Sequence, residues 1–461
     1  MTLETTKRLI RIAALFVLLS IARYSHCVVT QYKDTSSDVV RSSSSSNSIR
    51  ILSLGGSITY GSKLESRQKS YPYGIFKGAL VANVAMRATG PEYSSKCIQS
   101  MVDEELRGLM GQLHVDSFEF DVITIEYSLN GLTDIDLLLA RLQMRYPSAL
   151  FVYVHFVSPR MAVRNDKTGL RPKDIMEEPG LTFQERDQLM MEALSDSGTN
   201  WVWDDESMRQ STQAKNRAIQ EIQKVGGIIW DFPLDDDPRN MFHLFANDHH
   251  HLNENGHDVV AKGLRDVILQ QGLVAAEGPP GGSSPPAKKR DSKKYLKGMP
   301  PPTFDQSTSL WGKGDLCFSW YQDGNSPLDH SGGVLRRFVK PDKFAHEISR
   351  RNGTATISFD NKFSWPMPLS VSHMVWRENM YPQTQVHVRS NQEEGMVGTA
   401  SSNTFSISPL HPIESMRAWH VSTTTRIGYA NPGRNEIVFE CLEETVKPFR
   451  VTAIILCGAC E

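Results

Sequence analysis

The sequence predicts an α/β domain followed by an all-β domain. In the first part of the chain, short apolar strands alternate with amphipathic helices, which is typical of a parallel sheet with helices on both faces. After Thr303, short strand patterns follow one another with Gly, Pro or Asn between them, which is typical of an antiparallel β-sandwich. At 461 residues the chain is too long for one ordinary core, so we expect two domains.

The strands and helices of the first domain are predicted from their apolar spacing. Strands are expected at 50–54, 121–126, 150–156 and 226–232. Helices are expected at 135–142, 183–194, 210–225 and 256–269, and Thr133 to Asp136 resembles a capping box for the first of these. In a sheet of this kind, ligands bind beyond the carboxyl ends of the strands.

The second domain is expected to span residues 303–461. Its strands are predicted at 354–359, 370–376, 385–389, 404–408, 415–421, 434–442 and 449–457. A linker at 278–302, rich in Pro, Gly and Ser, separates it from the first domain at 48–277. The linker carries a basic cluster, which fits a solvated hinge better than contact with an anionic polymer or membrane.

The N-terminus has the features of a secretory signal peptide. Lys7, Arg8 and Arg11 precede an apolar run at 12–22 and a cleavage-site-like segment that ends at Cys27. The run is shorter than the roughly 20 residues needed to cross a bilayer, and an uncleaved membrane anchor is the alternative. The polar segment 28–47 is expected to be disordered. We therefore expect a secreted or cell-surface protein.

Cysteine content and net charge limit the function classes further. In an oxidising compartment most of the cysteines after Cys27 should pair, and their odd number leaves one thiol over. Cys457 and Cys460 have redox or metal spacing, but a structural disulfide fits their terminal position better. Asn352 begins a glycosylation sequon. The net charge of -2 provides no basic field for nucleic acid, which is not expected as a partner.

Ser57 is the first candidate for chemistry. It follows the first predicted strand in Gly55-Gly56-Ser57-Ile58-Thr59. Glycines permit a sharp turn and close backbone approach, which presents the serine hydroxyl and its amide at the carboxyl edge of the sheet. A nucleophile needs this exposure. Taken alone, the pattern also fits a glycine turn in which serine caps a helix.

Asp248 and His251 are candidates for the carboxylate and the general base that a serine nucleophile needs. They lie late in the same domain, just before its last predicted helix. An imidazole can remove the serine proton, and a carboxylate holds the tautomer of the imidazole and stabilises its cation. The neighbouring histidines offer a second interpretation, a metal site built from His243, His249, His250, His251, His257 and Asp248. Consecutive histidines point in different directions and no HExxH spacing is present, so the triad is favoured.

Over residues 50–271 the sequence resembles the SGNH hydrolases, also called the GDSL esterase and lipase superfamily. The first block of that family, Gly-Asp-Ser, is matched by Gly55-Gly56-Ser57, with Gly56 in place of the aspartate, and the last block, Asp-x-x-His, by Asp248 and His251. The resemblance implies a flavodoxin-like α/β/α sandwich and ester hydrolysis through an acyl-enzyme, without a metal or organic cofactor.

The same resemblance implies an oxyanion hole formed by the amides of Ser57 and Gly90 and the side chain of Asn130. Asn130 follows the predicted strand 121–126, and Gly131 stands where the family block has an aspartate. Gly90 follows the apolar run 79–84. A turn-forming Asn-Gly pair and a plain loop glycine are the alternative interpretations.

A secreted protein of this family with an appended β-sandwich is expected to remove acetyl or similar groups from a polysaccharide. Aromatic residues of the second domain that could stack on sugar rings are Trp311, Trp320, Tyr321, Trp365, Trp376 and Trp419, although core packing is the expected role of most of them. An O-acyltransferase with the same triad and a non-catalytic carbohydrate-binding protein are the alternatives.

Overall fold

The structure is a computed structural model. The residues that it describes are 48–110, 118–177, 183–195, 198–272, 315–319, 328–339, 343–348, 353–375, 381–390, 403–410, 421–442, 445, 447–458 and 460. The predicted signal peptide, polar segment and linker lie outside these ranges, as do the sequon asparagine and every candidate sugar-stacking aromatic except Trp365. Among the described helices, none combines the length and apolar character needed to span a bilayer.

The first domain is built on a five-stranded parallel sheet with the strand order β2-β1-β3-β4-β7. Its strands are β1 (Arg50–Gly55), β2 (Leu80–Asn83), β3 (Val122–Glu126), β4 (Leu150–His155) and β7 (Ile228–Asp231). A separate two-stranded antiparallel sheet contains β5 (Val163–Asn165) and β6 (Trp201–Trp203). If the five strands of the parallel sheet are numbered 1 to 5 along the chain, their order across the sheet is 2-1-3-4-5. This is the flavodoxin-like arrangement. The predicted fold class is confirmed for this domain.

Helices cover both faces of the parallel sheet. They are α1 (Ser57–Tyr60), α2 (Tyr71–Gly74), α3 (Pro91–Met110), α4 (Ile135–Arg145), α5 (Pro159–Ala162), α6 (Pro172–Glu177), α7 (Phe183–Ser195), α8 (Asp205–Lys224) and α9 (Glu254–Gln270). Successive side chains of a strand point to opposite faces, so Leu52 packs in one core with α3, α4 and α8, whereas Ile51 packs in the other with α9.

The helix boundaries show which local signals were correct. Asp204 accepts a hydrogen bond from the Ser207 N–H and starts α8 before the predicted residue 210, and Asn253 accepts one from the Gly256 N–H at the start of α9. The capping box predicted at Thr133 to Asp136 is wrong. Asp134 has a left-handed backbone (φ 58°) with no side-chain cap, and its carboxylate pairs with Lys96.

The described residues of the second domain form a six-stranded and a five-stranded antiparallel sheet that share one apolar core. Its strands are β8 (Asp315–Ser319), β9 (Asp329–Ser331), β10 (Gly333–Val339), β11 (Lys343–Ile348), β12 (Thr354–Asn361), β13 (Met367–Val375), β14 (Thr384–Ser390), β15 (Asn403–Ile407), β16 (Val421–Ala430), β17 (Gly433–Cys441) and β18 (Phe449–Cys457). Ile437 of one sheet and Ile454 of the other belong to the shared core, so the all-β prediction is confirmed. Most of the strand predicted at 415–421 lies outside the described residues.

Cysteine pairing follows the expectation from compartment. Cys97 bonds to Cys317, Cys457 bonds to Cys460, and Cys441 is buried as a free thiol. The first of these bonds joins α3 of the α/β domain to β8 of the β-sandwich.

A buried ion pair lies beside this disulfide. Arg141 Nη2 of α4 lies 2.9 Å from Asp315 Oδ2 of β8, and both side chains are fully buried. The Asp315 carboxylate also accepts hydrogen bonds from the N–H groups of Gln99 (3.1 Å) and Ser100 (2.9 Å) in α3. A third link is the hydrogen bond from the Ser422 N–H to the Ala88 carbonyl, at 2.9 Å. The described residues of both domains therefore form one compact unit from Ile49 onward.

We predict that Asp315→Ala lowers the free energy of unfolding by about 3–5 kcal/mol, because the substitution leaves the buried Arg141 guanidinium without its carboxylate. Urea unfolding of the full chain measures this loss. Glu206→Ala, which breaks the exposed ion pair with Arg209, is the control and should leave unfolding nearly unchanged. Equal effects of the two variants would contradict the assignment.

Candidate active site

Ser57 begins α1 immediately after the carboxyl end of β1. The turn is held by a hydrogen bond from the Gly56 N–H to the Glu126 carbonyl oxygen, at 3.1 Å, which ties it to the end of β3. The Ser57 side chain is partly exposed. In the structure, the Ser57 hydroxyl therefore lies at the carboxyl edge of the parallel sheet, as predicted from the sequence.

The two glycines before Ser57 make room for two different neighbours. A Cβ on Gly55 would overlap the Thr59 hydroxyl and lie 2.7 Å from the Glu126 carbonyl oxygen. A Cβ on Gly56 would instead overlap the Asn130 side-chain oxygen. Neither glycine has a positive φ, so close packing rather than a left-handed backbone requires them.

His251 lies between Ser57 and Asp248. Its Nε2 is 2.9 Å from the Ser57 Oγ, and its Nδ1 is 2.7 Å from the Asp248 Oδ2. This order of contacts lets the ring accept the serine proton at one nitrogen while the carboxylate holds the other nitrogen as N–H. The structure brings together the three residues that the sequence proposed for chemistry.

Asp248 is positioned to remain ionised. Its Oδ1 accepts hydrogen bonds from the N–H groups of His250 (3.1 Å) and His251 (3.0 Å), and Lys63 Nζ lies 3.5 Å from Oδ2. Burial raises the pKa of Asp248, but the hydrogen bond and electrostatic attraction of His251 outweigh burial and hold the pKa well below its ordinary value. A permanent negative charge beside His251 stabilises the imidazolium form.

Asn130 lies next to the nucleophile turn. Its N–H donates to the Tyr127 carbonyl oxygen at 3.0 Å, and its side-chain amide packs against Gly56. Gly131, which follows, has φ 83°, so the Asn-Gly pair also forms a turn. The Asn130 side-chain oxygen is the amide atom nearest to Gly56, and the role of the Asn130 amide group as an oxyanion donor stays a prediction.

Gly90 lies close to the backbone of Asn130. A Cβ on Gly90 would lie 2.9 Å from the Asn130 carbonyl oxygen and overlap the carboxylate of Glu92. Burial raises the pKa of Glu92 to about 7, and hydrogen bonds from the backbones of Glu92 itself and of Gly90 partly offset this effect. The Gly90 N–H is thus engaged by a carboxyl group, and its role as an oxyanion donor stays a prediction.

The remaining histidines of the late motif have separate partners. The His249 ring packs against Phe242 with 4.7 Å between ring centroids, and His250 Nδ1 is 3.0 Å from the Ser158 hydroxyl. His257 Nδ1 accepts a hydrogen bond from the Tyr71 N–H at 3.2 Å. Among the described residues, no group of three or more His, Cys, Asp or Glu side chains is arranged to hold a metal ion.

A second Ser-His-Asp set lies elsewhere in the same domain. His155 Nδ1 is 3.1 Å from Asp231 Oδ1, and His155 Nε2 is 3.1 Å from the Ser211 hydroxyl. Ser211 lies inside α8, where the backbone N–H groups are committed to helical hydrogen bonds and cannot bind an oxyanion. This set ties α8 to β4 and β7, and it supplies a matched control for Ser57.

Sequence reasoning missed two charged residues that border the site, Glu126 and Lys63. Glu126 ends β3 fully buried, and burial raises its pKa to about 7 against hydrogen bonds from Ser128 and Thr59. The signal available in the sequence was a carboxylic acid at the end of a strand of mostly apolar residues. Lys63 gave no such signal, because its contact with Asp248 spans a large separation along the chain.

Comparison with known proteins gives low similarities. No protein-family model and no curated protein matches the sequence. A two-domain esterase active on acetylated mannans aligns over 89% of this chain and 91% of its own, with a TM-score of 0.42 and 14% identity. A protein from Slackia heliotrinireducens described as an SGNH hydrolase aligns over 48% of this chain and 100% of its own (TM-score 0.30, 15% identity).

A family 35 carbohydrate binding module from Clostridium thermocellum aligns over 31% of this chain and 97% of its own, with a TM-score of 0.20 and 11% identity.

We predict that the contribution of Glu126 and Glu92 to the free energy of unfolding falls as pH rises from about 4.5 to about 7, whereas the buried His257 and His346, whose pKa values are lowered to about 3 and about 4, contribute the opposite slope below about pH 6.5. Glu126 and Glu92 each have a folded-state pKa of about 7, raised from an ordinary 4.5, so the stability they contribute is complete below pH 4.5 and lost as pH rises through 7. The loss is on the order of 3 kcal/mol per group. Urea unfolding at several pH values measures the slope. The stability difference between wild type and Glu126→Gln isolates the contribution of Glu126, which should fall by about 3 kcal/mol between pH 4.5 and 7, and a difference that does not change with pH would contradict the prediction.

Proposed function

We propose that this chain is a secreted serine esterase that hydrolyses an ester, an O-acetyl group on a carbohydrate, through Ser57, His251 and Asp248. The observation that carries the proposal is the continuous line of contacts from the Ser57 hydroxyl through both ring nitrogens of His251 to the Asp248 carboxylate. Such a line is the arrangement that activates serine for attack on a carbonyl carbon.

The acylation step uses each contact once. The Ser57 Oγ attacks the carbonyl carbon while His251 Nε2 takes the hydroxyl proton, and Asp248 stabilises the resulting imidazolium. His251 then donates that proton to the leaving sugar oxygen as the ester C–O bond breaks. The product is a free sugar hydroxyl and an acyl group on Ser57.

Deacylation reverses the roles with water as the nucleophile. His251 removes a proton from water, the hydroxide attacks the acyl carbon, and the protonated His251 returns a proton to Ser57 as the acid leaves. The Ser57 amide and the Asn130 side chain are the proposed oxyanion donors, and the Gly90 amide is the proposed third, a role that requires it to exchange its hydrogen bond with the Glu92 carboxyl group for one with the oxyanion. Each such donor contributes about 3 kcal/mol of transition-state stabilisation.

The carbohydrate substrate is inferred from the second domain. Trp365 is 46% exposed and lies 5.2 Å, between ring centroids, from Phe363, so an aromatic face is open to solvent on the β-sandwich. An exposed aromatic ring can stack on a sugar. Acetylated mannan is the first polymer to test, because the two-domain esterase of similar layout is active on it.

We predict that Ser57→Ala lowers kcat on a short-chain aryl ester by about 10³-fold or more, because the substitution removes the nucleophile. The matched control is Ser211→Ala, which removes the serine of the other Ser-His-Asp set and should keep wild-type activity. A fluorophosphonate probe should label the wild-type chain and the Ser211 variant but not the Ser57 variant. Wild-type activity in Ser57→Ala would overturn the proposal.

Acetate release from acetylated mannan then tests the substrate class. Release by the wild-type chain, absent in Ser57→Ala, supports carbohydrate deacetylation. Transfer of the acetyl group to an added sugar acceptor in excess of release would make the chain an acyltransferase instead, because both reactions share the acyl-enzyme.

A further inference from the structure

Glu126 contacts both the turn that carries Ser57 and the turn that carries Asn130. Its Oε2 accepts a hydrogen bond from the Thr59 hydroxyl at 3.4 Å, two residues after Ser57. Its Oε1 accepts one from the Ser128 N–H at 3.2 Å, two residues before Asn130. One carboxyl group therefore spans the nucleophile turn and the turn of the proposed oxyanion donor.

The backbone of Glu126 adds a third contact with the same turn. Its carbonyl oxygen accepts the hydrogen bond from the Gly56 N–H, at 3.1 Å. Gly55 allows this approach, because a Cβ there would overlap the Thr59 hydroxyl and crowd the Glu126 carbonyl. The absence of a side chain at position 55 is what lets the end of β3 reach the nucleophile turn.

Thr59 extends the contact into the interior. Its hydroxyl is 2.9 Å from the Tyr71 hydroxyl, and the Tyr71 N–H donates to His257 at the start of α9. All four side chains are buried. This connected set of buried polar groups, Glu126-Thr59-Tyr71-His257, lies behind the site and reaches the helix that follows the Asp248 loop.

We propose that Glu126 is a positioning residue that fixes the Ser57 amide and the Asn130 side chain at the separation needed to bind one oxyanion. The inference rests on the proposed function, since it assigns the two loops that Glu126 joins to the hydrolytic site. An oxyanion hole depends on donors that are already aimed before charge develops, so a loose link between its two loops slows the chemical step without weakening substrate binding.

Two substitutions of different severity test the role. Glu126→Leu keeps the side-chain bulk but loses both acceptor oxygens, and kcat on an aryl ester should fall about 100-fold with KM changed less than about 2-fold. Glu126→Gln keeps one acceptor oxygen, so its kcat should fall less, to about 10-fold below wild type. Urea unfolding of each variant identifies the temperature and pH at which it is folded, and the kinetics are measured there.

Thr59→Val shows whether Glu126 acts through the nucleophile turn. This variant removes the hydroxyl link but keeps the carboxyl group, and it should lower kcat about 10-fold. In the double variant with Glu126→Leu, kcat should fall no further than in Glu126→Leu alone, because that change already removes the carboxyl group that Thr59 contacts. Independent, multiplied losses would overturn the positioning role.

Glu105→Gln is the matched control, because Glu105 is a partly buried glutamate of α3 whose pKa is also raised by burial. It should keep wild-type kcat and KM. Wild-type kcat in folded Glu126→Leu would refute the positioning role while leaving the esterase proposal intact. Wild-type activity in Ser57→Ala would instead refute the esterase proposal, so the two failures are distinguishable.

Discussion

The close contact between the carboxyl end of β1 and that of β3 is the constraint on which the rest of the site depends. Two adjacent glycines permit it, and each faces a different neighbour: Gly55 faces Thr59 and Glu126, and Gly56 faces Asn130. Parallel pairing of Gly55 with Glu126 continues to the last residue of both strands. The turn that carries Ser57 therefore starts from a backbone position set by the sheet itself, and the donor loop starts from the neighbouring strand.

The loop that carries Asp248 and His251 completes the site. Asp248 is fixed by two backbone N–H groups of its own loop, so the carboxylate is oriented before it meets His251. His249 has a left-handed backbone (φ 48°), which turns the consecutive histidines toward separate partners. His251 is the histidine of this run whose ring lies within hydrogen-bonding distance of Ser57.

The sequence was sufficient for the features that depend on neighbouring residues. The apolar strands, the Gly-Gly-Ser turn and the Asp248 to His251 spacing were predicted because strand burial and loop chemistry are local. Helix α3 was missed because Glu92, Ser94 and Ser95 are buried and interrupt its apolar spacing. Strands β8 to β11 precede the first predicted strand of their domain, and their charged residues, among them Arg336, Arg337 and Glu347, obscure the alternation. The contacts of Glu126 and Lys63 could not be predicted from the sequence, because their partners lie far away along the chain.

The links between the two domains bear on how this protein can be divided. The disulfide from Cys97, the hydrogen bonds from Gln99 and Ser100, and the contact at Ala88 all fall within or just before α3, the helix that begins one residue after Gly90. A chain cut at residue 277 would deprive this helix of Asp315 and Cys317 together. The β-sandwich is therefore part of the scaffold of the α/β domain, not an exchangeable appendage, and hybrids that replace it would have to supply an aspartate and a cysteine at the same two positions.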